Sequence, residues 1–175
     1  MNKEKLPFEM PSFDLNGKVA VVTGGTKGLG YGIVMTLAYH GAKVVITSRH
    51  QDDCDAVARE VMDMGGEAMG IKTDVQNKDE IQNLINKTVE KFGRLDIMVN
   101  NAGVAVTKRF TEMTEEEYDR VLDSNLKSVF FGSQIAAKQM IEQGEGGKII
   151  NMCSIGGIKG NNQLSTYGAS KAGAI

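Results

Sequence analysis

Cysteine, histidine and proline are scarce in this chain of 175 residues, with two of each. Cys54 and Cys153 both lie in segments that read as regular secondary structure, which argues against a disulfide framework and fits a reducing compartment. His40 and His50 stand apart from any Cys, Asp or Glu at ligand spacing, so no metal site is expected. Charge is nearly balanced, at a formal -2, with acids and bases interspersed. That leaves no electrostatic footprint for nucleic acid or an anionic membrane, and small polar or neutral partners fit better. No stretch approaches the roughly 18 uninterrupted apolar residues of a membrane span. The opening MNKEKLPFEMP holds both prolines but lacks the apolar core of a secretory signal. A soluble, cytoplasmic protein is the expectation.

What the chain does contain is an alternation of short β-rich runs with longer stretches of helical periodicity, the sequence form of a parallel sheet with helical crossovers. Lys18 to Thr23 reads as a strand opening on glycines, followed by a helix through Ile33, Val34, Leu37 and Ala38 before Gly41. Val44 to Thr47 is a second strand, and residues 52 to 64 place Cys54, Val57, Ala58, Val61 and Met62 on one helical stripe. A third strand ends at Asp74-Val75. Asn77 with Glu80 makes a helix cap before Ile81, Leu84, Ile85, Val89 and Phe92. Leu95 to Val99 is strand four, a long helix runs from about Glu115 to Gln143 with a break near Asp123-Ser124-Asn125, and Lys148 to Cys153 is strand five. The acids Glu115 to Glu117 after Thr114 suit a helix N-terminus. A last helix begins near Tyr167.

The expected fold is α/β, a doubly wound parallel sheet of the Rossmann type. Residues 1–16 form an N-terminal tail, and residues 17–175 form the dinucleotide-binding domain. A complete fold of this kind has six strands. This sequence supplies five and the start of the following helix, so a C-terminally incomplete fold is expected.

The glycine-rich stretch Thr23-Gly24-Gly25-Thr26-Lys27-Gly28-Leu29-Gly30 falls where strand one turns into helix one. Glycines there let backbone N–H groups approach a phosphate, and the helix N-terminus adds partial positive charge; the same turn also serves as a tight connection. At the tip of strand two stands Ser48-Arg49, where an NAD-binding chain usually has an acid for the ribose 2′-hydroxyl. An arginine fork suits a 2′-phosphate, with the Ser48 hydroxyl and the Lys27 charge as helpers, which points to NADP(H) over NAD(H). The alternative is that Lys27 and Arg49 are solvated loop residues. Asp74 is placed either to bond adenine or to cap its strand. Asn100-Asn101-Ala102-Gly103 brings two amides and a glycine to the carboxyl edge of the sheet, where ligands of this fold lie, or forms a turn.

TGGTKGLG after strand one, NNAG after strand four, Asn125 in the long helix, Ser154 after strand five and Tyr167-x-x-x-Lys171 together resemble the short-chain dehydrogenase/reductase family. The likeness extends from about Gly17 onward, with Ser154 thirteen positions before the tyrosine. It implies an oxidoreductase that interconverts an alcohol and a carbonyl by hydride transfer, on a small-molecule alcohol or ketone. Tyr167 would exchange a proton with the substrate oxygen. A free tyrosine titrates near 10, and a neighbouring cation such as Lys171 favours the phenolate. Lys171 would also bond the nicotinamide ribose, Ser154 would donate to the substrate oxygen, and Asn125 would position a relay water behind Lys171. Taken one at a time, these residues also read as a packing or cation–π pair, a turn serine and a solvated asparagine.

The cofactor-binding set implied is Gly24, Thr26, Lys27, Gly28, Leu29, Gly30, Ser48, Arg49, Asp74, Val75, Asn101, Ala102 and Gly103, joined by Tyr167 and Lys171. The resemblance also implies a homodimer or homotetramer built through the helix around 126–143 and the Tyr–Lys helix. Substrates of sugar-acid dehydrogenases, 3-oxoacyl carrier-protein reductases and steroid or bile-acid dehydrogenases all remain open. A catalytically silent cofactor-binding fragment is the alternative to an enzyme.

Overall fold

The computed structural model describes residues 13–175, so residues 1–12 of the expected tail lie outside the described residues. Five strands, β1 (Val19–Thr23), β2 (Lys43–Ser48), β3 (Ala68–Lys72), β4 (Ile97–Asn100) and β5 (Lys148–Asn151), form one parallel sheet in the order β3-β2-β1-β4-β5. Among the described residues six α-helices accompany them: α1 (Gly28–Tyr39), α2 (Gln51–Asp63), α3 (Lys78–Phe92), α4 (Glu115–Leu122), α5 (Ser128–Glu142) and α6 (Ser165–Gly173).

Every residue of β1 is buried because helices cover both faces of the sheet. Successive side chains alternate between those faces. Ala20 and Val22 pack with Val44 and Ile46 against Val34 of α1 and Val57, Ala58 and Val61 of α2. Val21 and Val45 point the other way, against Ile81, Leu84 and Ile85 of α3 and Ile135, Ala136 and Met140 of α5. Each such valine or isoleucine contributes about 1.5–3 kcal/mol by leaving water. Leu15 joins the first of these layers, and its N–H donates to the His40 carbonyl at 2.8 Å.

The helix starts follow their sequence signals. Asn77 Oδ1 accepts the Asp79 N–H at 2.9 Å, while Glu80 reaches back to the N–H of Asp74 at 2.7 Å. Thr114 and Glu117 form a reciprocal capping box at α4. At the opposite edge of the sheet from the glycine turn, Asp96 binds β1 to β4. Its Oδ2 accepts from Val19 N–H at 2.9 Å and Arg94 Nε at 2.8 Å, and Oδ1 takes Arg94 Nη2 at 2.6 Å. Burial pushes the Asp96 carboxyl up, but the hydrogen bonds from Arg94 and Val19 and the charges of Arg94 and Lys18 outweigh it and hold the group below the usual carboxylate range.

Of the boundaries that differ from the sequence reading, three bear on the site. β3 stops at Lys72 rather than Val75, because Asp74 Oδ1 accepts the Gln76 N–H at 3.0 Å and turns the chain out of the ladder. β5 stops at Asn151, and Lys171 Nζ takes the Met152 carbonyl, so Cys153 lies in a loop rather than a strand. Both cysteines are free, Cys54 buried in α2 and Cys153 exposed. The long helix does carry a discontinuity near Asp123, but as a π turn, Asp123–Lys127, in which the Ser128 N–H reaches the Asp123 carbonyl five residues back. Among the described residues no helix is long and apolar enough to cross a membrane.

Candidate functional site

The chain winds outward from β1 to β2 and β3 on one side, then crosses back to β4 and β5 on the other, and the crevice at such a switch point is where ligands of open α/β sheets bind. A cleft of about 350 Å³ opens there. Its walls are the glycine turn (Gly24, Thr26, Lys27, Leu29, Gly30), the end of β2 (Ser48, Arg49, His50) with Asp53, the loop after β3 (Thr73 to Gln76), the loop after β4 (Asn101 to Val104) and Ser124.

The glycines are demanded by close approach. Gly24 adopts φ +63°, and a Cβ there would stand 3.1 Å from Ala102 Cα. A Cβ at Gly30 would overlap the Gly24 carbonyl oxygen and come within 2.6 Å of Asn101 Nδ2. Gly28 shapes the same turn at φ +57° without lining the cleft. Thr23, to which the sequence reading gives no role beyond opening the glycine stretch, ties the turn to the loop after β4: its Oγ1 accepts the N–H groups of Asn101 and Ala102, each at 3.0 Å, and donates to the Val99 carbonyl at 3.3 Å. Asn101 Nδ2 completes the link by donating to the carbonyls of Thr23 and Gly24 at 2.8 and 3.1 Å.

The donor set fits a dinucleotide. α1 begins without a side-chain cap and without an acid in its first turn, whereas α3 and α4 have both. Its first N–H groups and positive dipole end are thus left for an anion at the cleft wall. Lys27 and Arg49 stand exposed at the same cleft. Ser48 is committed locally: its Oγ donates to the His50 carbonyl at 3.1 Å and accepts the His50 N–H at 3.2 Å. Next to it, burial pushes the Cys54 thiol up from its ordinary value. Asp74 and Val75 both line the cleft, Asp74 with one carboxylate oxygen spent on its own turn. His50, Asp53, Thr73, Gln76, Val104 and Ser124 line it as well and were not singled out from the sequence, although each is one to four positions from a residue that was.

The remaining predicted residues meet beside this cleft rather than in its wall. A Cβ at Gly156 would lie 3.3 Å from Tyr167 Cε1 and 3.4 Å from Ser154 Oγ, so ring and hydroxyl flank one glycine. Ser154 Oγ accepts the Gly156 N–H at 3.1 Å, which leaves its own proton to donate elsewhere. Lys171 is buried, its Nζ 6.0 Å from the centre of the Tyr167 ring. A Cβ on Gly103 would sit 3.8 Å from Lys171 Nζ and 3.0 Å from Asn125 Oδ1, so Gly103 joins the cleft to this group.

Asn125 is fully buried and clamps Val104 from both sides. Its Oδ1 accepts the Val104 N–H at 2.8 Å, and its Nδ2 donates to the Val104 carbonyl at 2.8 Å and to Ser170 Oγ at 3.0 Å. Both amide hydrogens are committed to protein acceptors, which leaves only acceptor capacity on this side chain for a further partner such as a water. Ser170 in turn donates to the Tyr167 carbonyl at 2.7 Å. No group of three or more His, Cys, Asp or Glu placed for a metal occurs among the described residues.

A family model described as short chain dehydrogenase matches residues 18–175, and the chain belongs to that family. Among its relatives is a 3-oxoacyl-(acyl-carrier-protein) reductase of Synechocystis sp., 39% identical over 162 residues that cover 92% of this chain and 65% of the relative. An NADP-dependent (R)-specific alcohol dehydrogenase of Lentilactobacillus kefiri is 42% identical over 92% of this chain and 63% of its own length. The crystal structure of a metagenomic short-chain oxidoreductase in complex with NADP superimposes with a TM-score of 0.86 at 36% identity, covering 91% of this chain and 72% of that one. The chain thus spans slightly less than two thirds of the length of these curated relatives.

Proposed function

We propose that this protein is an oxidoreductase that interconverts a small-molecule alcohol and its carbonyl compound with NADP(H). The observation that carries the reading is the grouping of Tyr167, Ser154 and Lys171 at the carboxyl edge of the sheet, next to a cleft whose glycine turn and uncapped helix suit a dinucleotide. When bound, the nicotinamide supplies or accepts the hydride. Gly24, Thr26, Leu29 and Gly30 would hold its pyrophosphate in the turn that Gly28 shapes, Asp74 and Val75 its adenine side, and Asn101, Ala102 and Gly103 the path toward Lys171.

The chain's own groups handle the proton and the orientation. Tyr167 gives its phenolic proton to the substrate oxygen in the reducing direction and takes it back in the oxidising one. The free proton of Ser154 Oγ hydrogen-bonds that same oxygen and holds it near the tyrosine, which stabilises charge as it develops. Lys171, held by the Met152 carbonyl, places a cation beside the Tyr167 ring.

Preference for NADP(H) is supported by Arg49 and Lys27 at the cleft, by the relative named as NADP-dependent and by the neighbour solved with NADP. The substrate class stays at carbonyl/alcohol pairs, since the relatives span an acyl-carrier-protein reductase and an alcohol dehydrogenase. Exposed Phe130 and Ile141 on α5 support a homodimer or homotetramer through that helix. The test is NADPH oxidation across a panel of ketones and 3-oxoacyl thioesters, with Tyr167→Phe as the control. Loss of turnover in Tyr167→Phe with cofactor binding retained is expected; substantial residual turnover would overturn the assignment.

A further inference from the structure

One hydrogen bond crosses the floor of the cleft between elements that the proposed chemistry uses separately. Gln76 Nε2 donates to Ser124 Oγ at 2.7 Å, joining the loop after β3 to the π turn 48 positions later. Both residues line the cleft, and Ser124 is buried. Gln76 is itself fixed by its N–H to Asp74 Oδ1, and the Asp74 N–H is fixed by Glu80 at the start of α3. On the far side Ser124 adjoins Asn125, which bonds Val104 and Ser170, and Ser170 bonds the Tyr167 carbonyl.

A π turn widens the helix by one residue and exchanges the regular i to i+4 bonds for longer ones, so it depends on outside contacts to keep its geometry. The Gln76–Ser124 contact supplies one from the adenine side. We infer that Gln76 is a positioning residue, acting through Ser124, that couples occupancy of the adenine end of the cleft to the order of the π turn carrying Asn125. The coupling rests on the proposed reading of the cleft as an NADP(H) site, and it is reciprocal: whatever orders the π turn also favours the bound loop. Gln76 touches no reacting atom in this account. Its effect reaches Tyr167 only by way of Ser124, Asn125 and Ser170.

The experiment compares wild type, Gln76→Met, Ser124→Ala and the double variant by hydrogen–deuterium exchange. Each is measured alone, with adenosine 2′,5′-bisphosphate, which fills only the adenine end, and with NADP+. Ser124→Ala places a strong helix former in a helix, so folding is retained, and melting curves check it. Adenosine 2′,5′-bisphosphate is expected to slow exchange across residues 121–128 about threefold in wild type and not in either single variant. In NADPH oxidation, each single variant should lose about tenfold in kcat and raise KM for NADPH about threefold, the reciprocal of the lost ordering, and the double variant should lose no more than the worse single. No slowing at 121–128 in wild type, equal slowing in the variants, or additive kcat losses would overturn the coupling. Absence of turnover by wild type on every carbonyl would instead sink the proposed function, while the exchange comparison would still decide the role of Gln76.

Discussion

Asn125→Ala separates a structural from a purely catalytic role for this residue, and the hydrogen bonds set its cost. Three neutral bonds are lost, two to the backbone of Val104 and one to Ser170 Oγ, at about 1 kcal/mol net each. Val104 is half-buried, so water repairs part of the deficit at its N–H and carbonyl, and the desolvation penalty for those groups stays toward the low end. Alanine is the better helix former by roughly 0.6 kcal/mol, which offsets some of the loss. The expected net destabilisation is about 2.5 kcal/mol in the cofactor-free protein. With a urea slope of about 1–3 kcal/mol per molar, the unfolding midpoint falls by roughly 0.8–2.5 M.

Asn125→Asp sharpens the test because its shape is nearly unchanged. One carboxylate oxygen can still accept the Val104 N–H, but the other now faces the Val104 carbonyl where an amide hydrogen was. Burial against an acceptor is expected to raise the new carboxyl's folded-state pKa, with the buried Lys171 cation across Gly103 opposing part of that rise. Its folded protein is therefore favoured at low pH, where the protonated acid can donate, and the stability is lost as pH rises through that raised value. Urea unfolding of both variants between pH 5 and 8 reads the effect. A loss below about 1 kcal/mol in Asn125→Ala, or a pH-independent Asn125→Asp, would refute the clamp.

Arg49→Asp should lower NADPH affinity about ten- to a hundredfold, the scale of one charge-assisted bond exchanged for repulsion, and narrow the NADPH/NADH ratio; an unchanged ratio in fluorescence titrations would remove Arg49 from the cofactor site. Gly30→Ala should cost about 1–3 kcal/mol and weaken NADPH binding, because the obstructing atom is the Gly24 carbonyl oxygen, which cannot rotate away. Wild-type melting temperature and bound cofactor in Gly30→Ala would refute the close-approach argument. Asp96 has a lowered folded-state pKa, so its stabilisation is present above the unfolded value of about 4 and disappears as pH falls through the lower folded value. Thermal melts from pH 7 to pH 2 should fall less steeply for Asp96→Asn than for wild type, and parallel curves would show that the Arg94 pair contributes nothing.

The parts of the site that were legible in the sequence are those with local causes. A glycine turn is written in eight consecutive residues, because each positive φ or missing Cβ must be met at its own position, as at Gly24 and Gly30. Tyr167 and Lys171 are four apart and share a helix face. The alternation of strands and helices follows from side-chain periodicity, and it brought the carboxyl edge of β1 and β4 into view. The end of β3 was misread because nothing in the composition of Ile71 to Val75 marks the point where Asp74 turns back to bind Gln76. In the long helix the break was visible as a cluster of Asp, Ser and Asn, but not its kind. A shift from i+4 to i+5 bonding leaves the apolar stripe almost in place, with Val121 and Val129 both buried on either side.

What stayed hidden is the cross-linking of these local pieces, and here sequence distance explains why. Thr23 meets Asn101 across 78 positions, Gln76 meets Ser124 across 48, and Asn125 meets Ser170 across 45. Each contact uses a small hydroxyl or amide whose pairing no periodicity records, since Thr, Ser, Asn and Gln serve equally in turns, caps and solvated faces. Their placement depends on the sheet order, which puts β1 beside β4 and stacks α3 against α5. The division has a mechanistic consequence. Motif residues present chemistry at the cleft, whereas the long-range polar contacts decide whether five separate loops hold one geometry together. A variant that preserves every motif but breaks Asn125 from Val104, or Gln76 from Ser124, should therefore retain the chemical groups and lose their alignment.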